Sequence, residues 1–317
     1  MSQPGQASSI SIGLDVGGTK VLGVAVDPRR PGTVVAERRV PTPDGGGGLV
    51  DTLVELAGSL DLQPASIGVG VPGLVDRAGT LRMGPHLRRM HDVPLARLLA
   101  ERTAVPTVVD NDANCHAVAE QAAGAAAGAA EALMVTLGTG IGGGIISGGR
   151  LLRGANGFAG EPGHMVVDPN GPPCPCGKRG CWERFASGTG LGRLARDAAH
   201  AGRLDAAVVL AGGDPEAVRG EHVTSAARGG DVESQAVLDS LAQWIALGLA
   251  NLVNVLDPAI IVIGGGLVEA SDLLLPEVRS RFAALVMAGE RRPVVPIVPA
   301  ELGERAGAIG AALLGVD

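Results

Sequence analysis

Aromatic side chains are nearly missing from this 317-residue chain, which has two tryptophans, three phenylalanines and no tyrosine. With few faces for base stacking, and 26 basic against 33 acidic residues for a net charge of −7, nucleic acid is not an expected partner. Long apolar runs are missing too. The most apolar stretches are broken by Asp239 and Asp257 before about 20 residues, and the leader Met1–Ser9 is polar, without the basic and then apolar order of a secretory signal. A cytoplasmic protein with no membrane role is expected. Cysteine is scarce, four residues in all, and three of them fall between positions 174 and 181. In a reducing compartment that clustering points to metal ligation rather than to cross-links.

Glycine is abundant instead, 50 residues beside 21 prolines, with no triplet period. It must serve turns and close backbone approaches, and loops of that kind commonly bind ligands. Apolar residues make up 46% of the chain, enough for a packed core, and the length suits about two domains at roughly 150 residues each.

Three apolar segments, 10–14, 21–26 and 34–40, are joined by Gly17-Gly18 and by residues 28–32, and read as a β-meander. A helix is expected near 49–60, a buried strand over 67–71, a helix over 94–102 and a strand over 106–109. Asn111 or Asp112 then caps a helix running to about Gln121, which the Ala/Gly segment 122–130 closes. Strands at 132–137 and 141–146 flank Gly138-Thr139-Gly140 much as the first two flank Asp15–Thr19, so the chain repeats its opening. Later come a long helix over 232–256, a strand over 260–263 ending at Gly264-Gly265-Gly266, another helix, a strand-like stretch over 294–298 and a last helix over 305–314. Meanders followed by alternating helices and strands imply an α/β fold with mixed sheets.

Two loops could hold phosphate. In Asp15-Val16-Gly17-Gly18-Thr19-Lys20, two glycines let backbone N–H groups approach an anion and Thr19 adds a hydroxyl, although the same residues make an ordinary hairpin turn. Gly138-Thr139-Gly140-Ile141-Gly142-Gly143 matches G-x-G-x-x-G formally, but strand and turn follow it, so no helix N-terminus succeeds it and a dinucleotide site is not expected. No Walker A motif exists, because Lys20 follows Thr19. What remains is a pair of glycine turns heading two similar halves, able to hold a nucleotide's phosphates across a cleft, with Gly264–Gly266 as a third loop.

Cys174-x-Cys176-x4-Cys181 with His164 upstream offers three thiolates and one imidazole, a closed tetrahedral zinc set; free or paired cysteines are the alternative. Prolines 172, 173 and 175 and Gly177 leave the loop little core of its own, so a metal would hold it together. Cys115 reads as packing.

These residues resemble the ROK sugar kinases, and within that family the bacterial glucokinases. The resemblance is carried by Leu14–Lys20, Val69–Gly73, Val109–Asn114, Thr136–Gly144, Glu161-Pro162-Gly163-His164 with the cysteine cluster through Cys181-Trp182-Glu183, Gly264–Gly266 and Gly303–Ala308. It implies an actin-like, hexokinase-related ATPase fold of two lobes, each with a mixed β-sheet flanked by helices: 1–112, completed by a C-terminal helix at 303–317, and 113–302 with a zinc loop at 164–181. It implies ATP phosphates at Asp15, Gly17, Gly18, Thr19 and Lys20 and at Gly138, Thr139 and Gly140, with adenosine near Gly264, Gly265 and Gly266. Asp112 becomes the general base, where local sequence alone equally offers a helix cap. Gly73, Asn111, Asp112, Glu161, His164 and Glu183 face the sugar, although either glutamate could be a plain surface residue.

His164 can bind zinc through one ring nitrogen and a sugar hydroxyl through the other. Four protein ligands leave no open position, so zinc is structural and the reacting divalent ion is Mg²⁺ carried with ATP. Many relatives carry Asn-Leu-x-Gly-Trp before Asp-Val-Pro-Leu, whereas this chain reads His86–His91 there. Glucose therefore leads, with N-acetylmannosamine, N-acetylglucosamine, mannose and fructose behind it, and polyphosphate stands as an alternative donor. Of the non-catalytic readings, the family's DNA-binding repressors need more than nine residues before the first strand, and a sugar sensor would tend to lack Asp112. A homodimer or tetramer is expected.

Overall fold

The computed structural model describes residues 10–85, 87 and 90–315. In chain order they form β1 (Ser11–Val16), β2 (Lys20–Val26), β3 (Val34–Pro41), α1 (Leu49–Gly58), β4 (Ser66–Val71), β5 (Leu74–Val75), β6 (Leu81–Met83), α2 (Leu95–Thr103), β7 (Thr107–Asn111), α3 (Asp112–Ala123), β8 (Ala132–Leu137), β9 (Ile141–Ser147) and β10 (Arg150–Leu151). They continue as α4 (Glu183–Ala186), α5 (Gly188–His200), α6 (Asp205–Leu210), α7 (Gly220–Arg228), α8 (Val232–Leu256), β11 (Ile260–Gly264), α9 (Ser271–Leu285), β12 (Ile297–Pro299) and α10 (Ala306–Leu313).

The sheets are mixed, as expected. The first has the order β3-β2-β1-β4-β7, with β1, β2 and β3 an antiparallel meander and β4 and β7 parallel to β1. The second has the order β10-β9-β8-β11-β12, the same scheme of a meander followed by two later strands, which bears out the repeat seen in the sequence. Only Ile297–Pro299 of the strand-like stretch pairs, against β11, while Val294 is 90% exposed. The helix after Asn111 stops at Ala123 with Gly124 as its C-cap, within the Ala/Gly segment expected to close it.

The chain divides into two compact units: residues 1–134, 144–160 and 300–317 in one, 135–143 and 161–299 in the other. In the first, the period of two along β2 sorts its side chains. Val21 and Ala25 join Leu49, Leu53, Leu56, Leu95 and Leu99 of α1 and α2, while Leu22, Val24 and Val26 join Ala119 of α3 and Ala308, Ile309 and Ala312 of α10. Small residues let α10 lie flush on the sheet: a Cβ on Gly68 of β4 would overlap the carbonyl oxygen of Ala311. A Cβ on Gly307 would stand 2.6 Å from the Asp15 carboxyl, so α10 also walls the end of β1.

In the second unit α8 is the core helix, with Leu241, Ile245 and Leu249 fully buried and α7 and α9 packed on it. Trp182, itself fully buried, crosses α8 where Gly248 leaves room, and its indole N–H donates to Trp244 O at 2.7 Å. Phe185 stacks on Trp244 at 4.2 Å. Such anchoring on both sides fixes Glu183, next to Trp182 in the chain, relative to a rigid helix.

Candidate functional site

In the first unit the turn after β1 closes with Gly17 N–H donating to Lys20 O at 2.9 Å. Thr42, just after β3, clamps it, its hydroxyl donating to Gly17 O at 2.7 Å and its N–H to Thr19 O at 3.0 Å. Gly18 and Thr19 stand exposed at the tip, while the Lys20 ammonium is paired with Glu304 at 3.0 Å. At the base of this turn, burial pushes the Asp15 carboxyl up to about 6; the His116 imidazole opposes the rise, the Asp112 charge adds to it and Lys20 opposes it. Asp15 and Asp112 therefore feel one another. A Cβ built on Gly70 would lie 3.4 Å from Asp15 Oδ1 and 3.5 Å from Asp112 Cα, which places both residues on either side of that glycine.

Asp112 opens α3. Asn111 is the cap, its side-chain oxygen accepting from Ala113 N at 2.8 Å and Asn114 N at 3.2 Å. Its amide donates to Gly73 O at 3.1 Å, so Gly73 and Asn111, separate in sequence, meet here. Asn111 satisfies two of the N–H groups of the helix start, and Asp112 shares in the capping, its Oδ1 accepting from Ala113 N at 2.9 Å, so its carboxylate stands where backbone N–H groups favour negative charge. His116, one turn on and on the same face, donates Nδ1–H to Asp112 O at 2.9 Å.

In the second unit Gly138 N–H donates to Gly140 O at 3.0 Å and closes the other turn, with Thr139 exposed at its tip. No helix follows it in sequence, yet one stands against it. Gly188 N–H at the start of α5 donates to Gly138 O at 2.8 Å and the Thr189 hydroxyl to Thr139 O at 2.6 Å, while Ser187 caps α5. That non-local support had no signal in the loop itself. Gly265, at a φ of +83°, lies on the backbone of Leu137, so the Gly264–Gly266 loop and the Gly138 turn share the same end of the second sheet.

Glu161 begins the short turn Pro162–His164, which Gly163 seats directly on the backbone of Ile141 in β9. The four expected metal ligands do converge. His164 Nδ1 is 3.8 Å from Cys174 Sγ, Cys176 Sγ is 3.6 Å from Cys181 Sγ, and all four donor atoms lie within 4.8 Å of one another. A tetrahedron with metal–sulfur bonds of about 2.3 Å has edges of roughly 3.8 Å, so the donors present fit zinc in both type and spacing. Burial pushes the Cys174 and Cys181 thiols above their ordinary range, so a cation at the centre is what would draw them to thiolate. Glu183 joins this group: Cys174 Sγ donates to its Oε1 at 3.1 Å, and a Cβ on Gly140 would stand 2.6 Å from its Oε2. One carboxylate touches both the cysteine cluster and the Thr139 turn. His86, Arg88 and Arg89, of the segment that departs from the family pattern, lie outside the described residues.

The profile of the ROK family matches residues 11–317. The chain belongs to the ROK family. A glucokinase of Streptomyces coelicolor is 37% identical over 308 residues, 96% of each chain. A crystal structure of a ROK family glucokinase from Streptomyces griseus in complex with glucose and AMPPNP superposes with a TM-score of 0.85 at 37% identity, covering 96% of this chain and 99% of that one. A ROK hexokinase from Thermus thermophilus does so with a TM-score of 0.78 at 35% identity, covering 96% and 97%. The fold of this ROK protein is thus the actin-like, hexokinase-related one that the motifs implied.

Proposed function

We propose that this chain is a glucokinase, transferring the γ-phosphoryl group of Mg²⁺-bound ATP to the 6-hydroxyl of glucose. The likeness to glucokinases over nearly the whole chain supports the substrates. The observation that carries the mechanism is the Asp112 carboxylate at the first position of α3, held at the helix start beside the capping residue Asn111.

Phosphoryl transfer leaves a protein two tasks, positioning and electrostatic stabilisation. Asp112 accepts the proton of the 6-hydroxyl as that oxygen attacks phosphorus; the helix N-terminus favours its charge, and His116 holds its backbone carbonyl. Asn111 and Gly73, already joined by a hydrogen bond, orient sugar hydroxyls beside it. The exposed tip residues Gly18, Thr19 and Thr139 present backbone N–H and hydroxyl groups to the phosphates, and Gly264–Gly266, on the same sheet end as the second turn, takes the adenosine. Glu161, Glu183 and His164 accept and donate to the remaining hydroxyls, each held on a rigid support.

His164, Cys174, Cys176 and Cys181 would hold zinc, whose closed coordination cross-links the loop and contributes no reacting group. With Nδ1 turned to Cys174, His164 keeps Nε2 for the sugar.

Release of ADP measured against glucose, mannose, fructose, N-acetylglucosamine and N-acetylmannosamine, with ATP and then polyphosphate as donor, tests the assignment. Glucose with ATP should give the highest kcat/KM. A higher value for another hexose, or for polyphosphate, replaces the substrate named here, and no turnover with any pair removes the reading.

A further inference from the structure

Asp110 is the next-to-last residue of β7, directly before the Asn111-Asp112 pair, and it is 4% exposed. Its carboxylate is fully engaged on both sides of the proposed base. Oδ1 accepts from Asn111 N at 2.8 Å and from the Asn114 side-chain amide at 2.8 Å, and Oδ2 accepts from Arg153 Nε at 2.6 Å. Arg153 lies just after β10, far away in the chain, and the segment holding it is itself pinned, because Arg77 Nε donates to the next carbonyl, Gly154 O, at 2.8 Å. Asp112 needs its support here. Asn111 and Asn114 flank it, and both are held by the one carboxylate.

We infer that Asp110 and Arg153 form a positioning pair: the Arg153 guanidinium orients the Asp110 carboxylate, which in turn fixes the backbone of Asn111 and the side chain of Asn114 and so sets the register of Asp112. Neither residue touches substrate in this account. The inference rests on the kinase reading of Asp112. Removing the cation leaves an oxygen of a buried carboxylate without its partner, and a side chain in that position turns toward whatever donor remains, loosening its hold on Asn111 and Asn114. Errors near 1 Å in the placement of a reacting group cost about 10²-fold in rate.

The structure also supplies a selective test. A cavity of about 410 Å³ is lined by Asp110, Arg153, Val109 and Arg77, among others, and opens the pair to small solutes. Arg153→Met leaves space there for a free guanidinium ion to sit on Asp110.

For Arg153→Met, kcat for glucose phosphorylation should fall about 10²-fold, while the dissociation constants of glucose and MgATP, measured directly by calorimetry, stay within about 3-fold. Guanidinium chloride in the low millimolar range should then restore kcat by about 10-fold or more, and should restore nothing in Asp110→Asn/Arg153→Met, which lacks the receiving carboxylate. Should Arg153→Met fail to fold, Asp110→Asn carries the test: its amide turns one donor toward Arg153 or toward the Asn111 and Asn114 donors, and kcat must fall with the same unchanged affinities. A kcat within about 3-fold of wild type, or losses that guanidinium repairs equally in the double variant, overturns the pair. A wild-type protein that phosphorylates no hexose instead overturns the kinase reading, and this inference with it.

Discussion

The thiol of Cys174 lies 3.1 Å from the carboxylate Oε1 of Glu183, so the cysteine cluster and a residue assigned to the sugar are in direct contact. Metal ligation would release to solvent the proton that Cys174 now shares with Glu183, freeing that carboxylate for a sugar hydroxyl while the metal holds His164 and the loop in place. Stripping zinc with a chelator should therefore weaken glucose binding and lower Tm in the same titration, with re-addition of Zn²⁺ restoring both. Isothermal calorimetry with glucose and thermal scans on the same samples check it. Full glucose affinity in protein shown by elemental analysis to lack zinc would break the link.

Gly140 sets how close the second turn comes to that same carboxylate. An added Cβ would stand 2.6 Å from Glu183 Oε2, which is the far end of a flexible side chain, so the carboxylate and not the backbone must move. Gly140→Ala should raise KM for glucose by about 10-fold with Tm nearly unchanged, because a displaced polar contact to a sugar hydroxyl costs on the order of 1 kcal/mol. An unchanged KM would remove Glu183 from the sugar site.

The acid of β1 behaves oppositely toward stability and function. Folding raises the Asp15 pKa from 3.8 to about 6, chiefly by burial, so this group's contribution to stability is complete below about pH 4 and is lost as the pH rises through 6. Asp15→Asn should thus raise the Tm of the ligand-free protein at pH 7.5, with the gain shrinking to nothing near pH 4, while it impairs phosphoryl transfer. Thermal scans across that range decide it; a gain in Tm equal at both ends would show that burial is not what raises Asp15.

Close packing of α10 gives a prediction about the fold alone. Gly68→Ala would drive a methyl group into the carbonyl of Ala311, with backbone on both sides, and should lower stability by about 3 kcal/mol or prevent folding. Chemical denaturation measures it. A loss below about 1 kcal/mol would mean that α10 can lift from the sheet without penalty.

Much of this was legible because it is local. Period-two runs gave both meanders, the 3.6-residue recurrence through Val237, Leu241, Ile245 and Leu249 gave α8, and the cap at Asn111 gave the start of α3. The convergence of His164, Cys174, Cys176 and Cys181 was readable from type and spacing. What escaped was non-local. The helices α5 and α7 are amphipathic, but nothing in their pattern says that the N-terminus of α5 lies against Gly138. Glu120, 1% exposed, holds Ala125 N, Glu301 N and Leu302 N together across about 180 residues, and Arg153 reaches Asp110 across 43. Neither partner can be named until the chain is folded.

The central claim is that Asp112 takes the proton from the 6-hydroxyl of glucose. The most direct measurement is the steady-state rate of glucose 6-phosphate formation from MgATP by wild type and by Asp112→Asn, with folding checked by thermal scans on the same preparations. A kcat lower by roughly 10² to 10⁴, with Tm preserved because Asn111 still caps α3, is the predicted result. A folded Asp112→Asn protein that forms glucose 6-phosphate at close to the wild-type rate would contradict it.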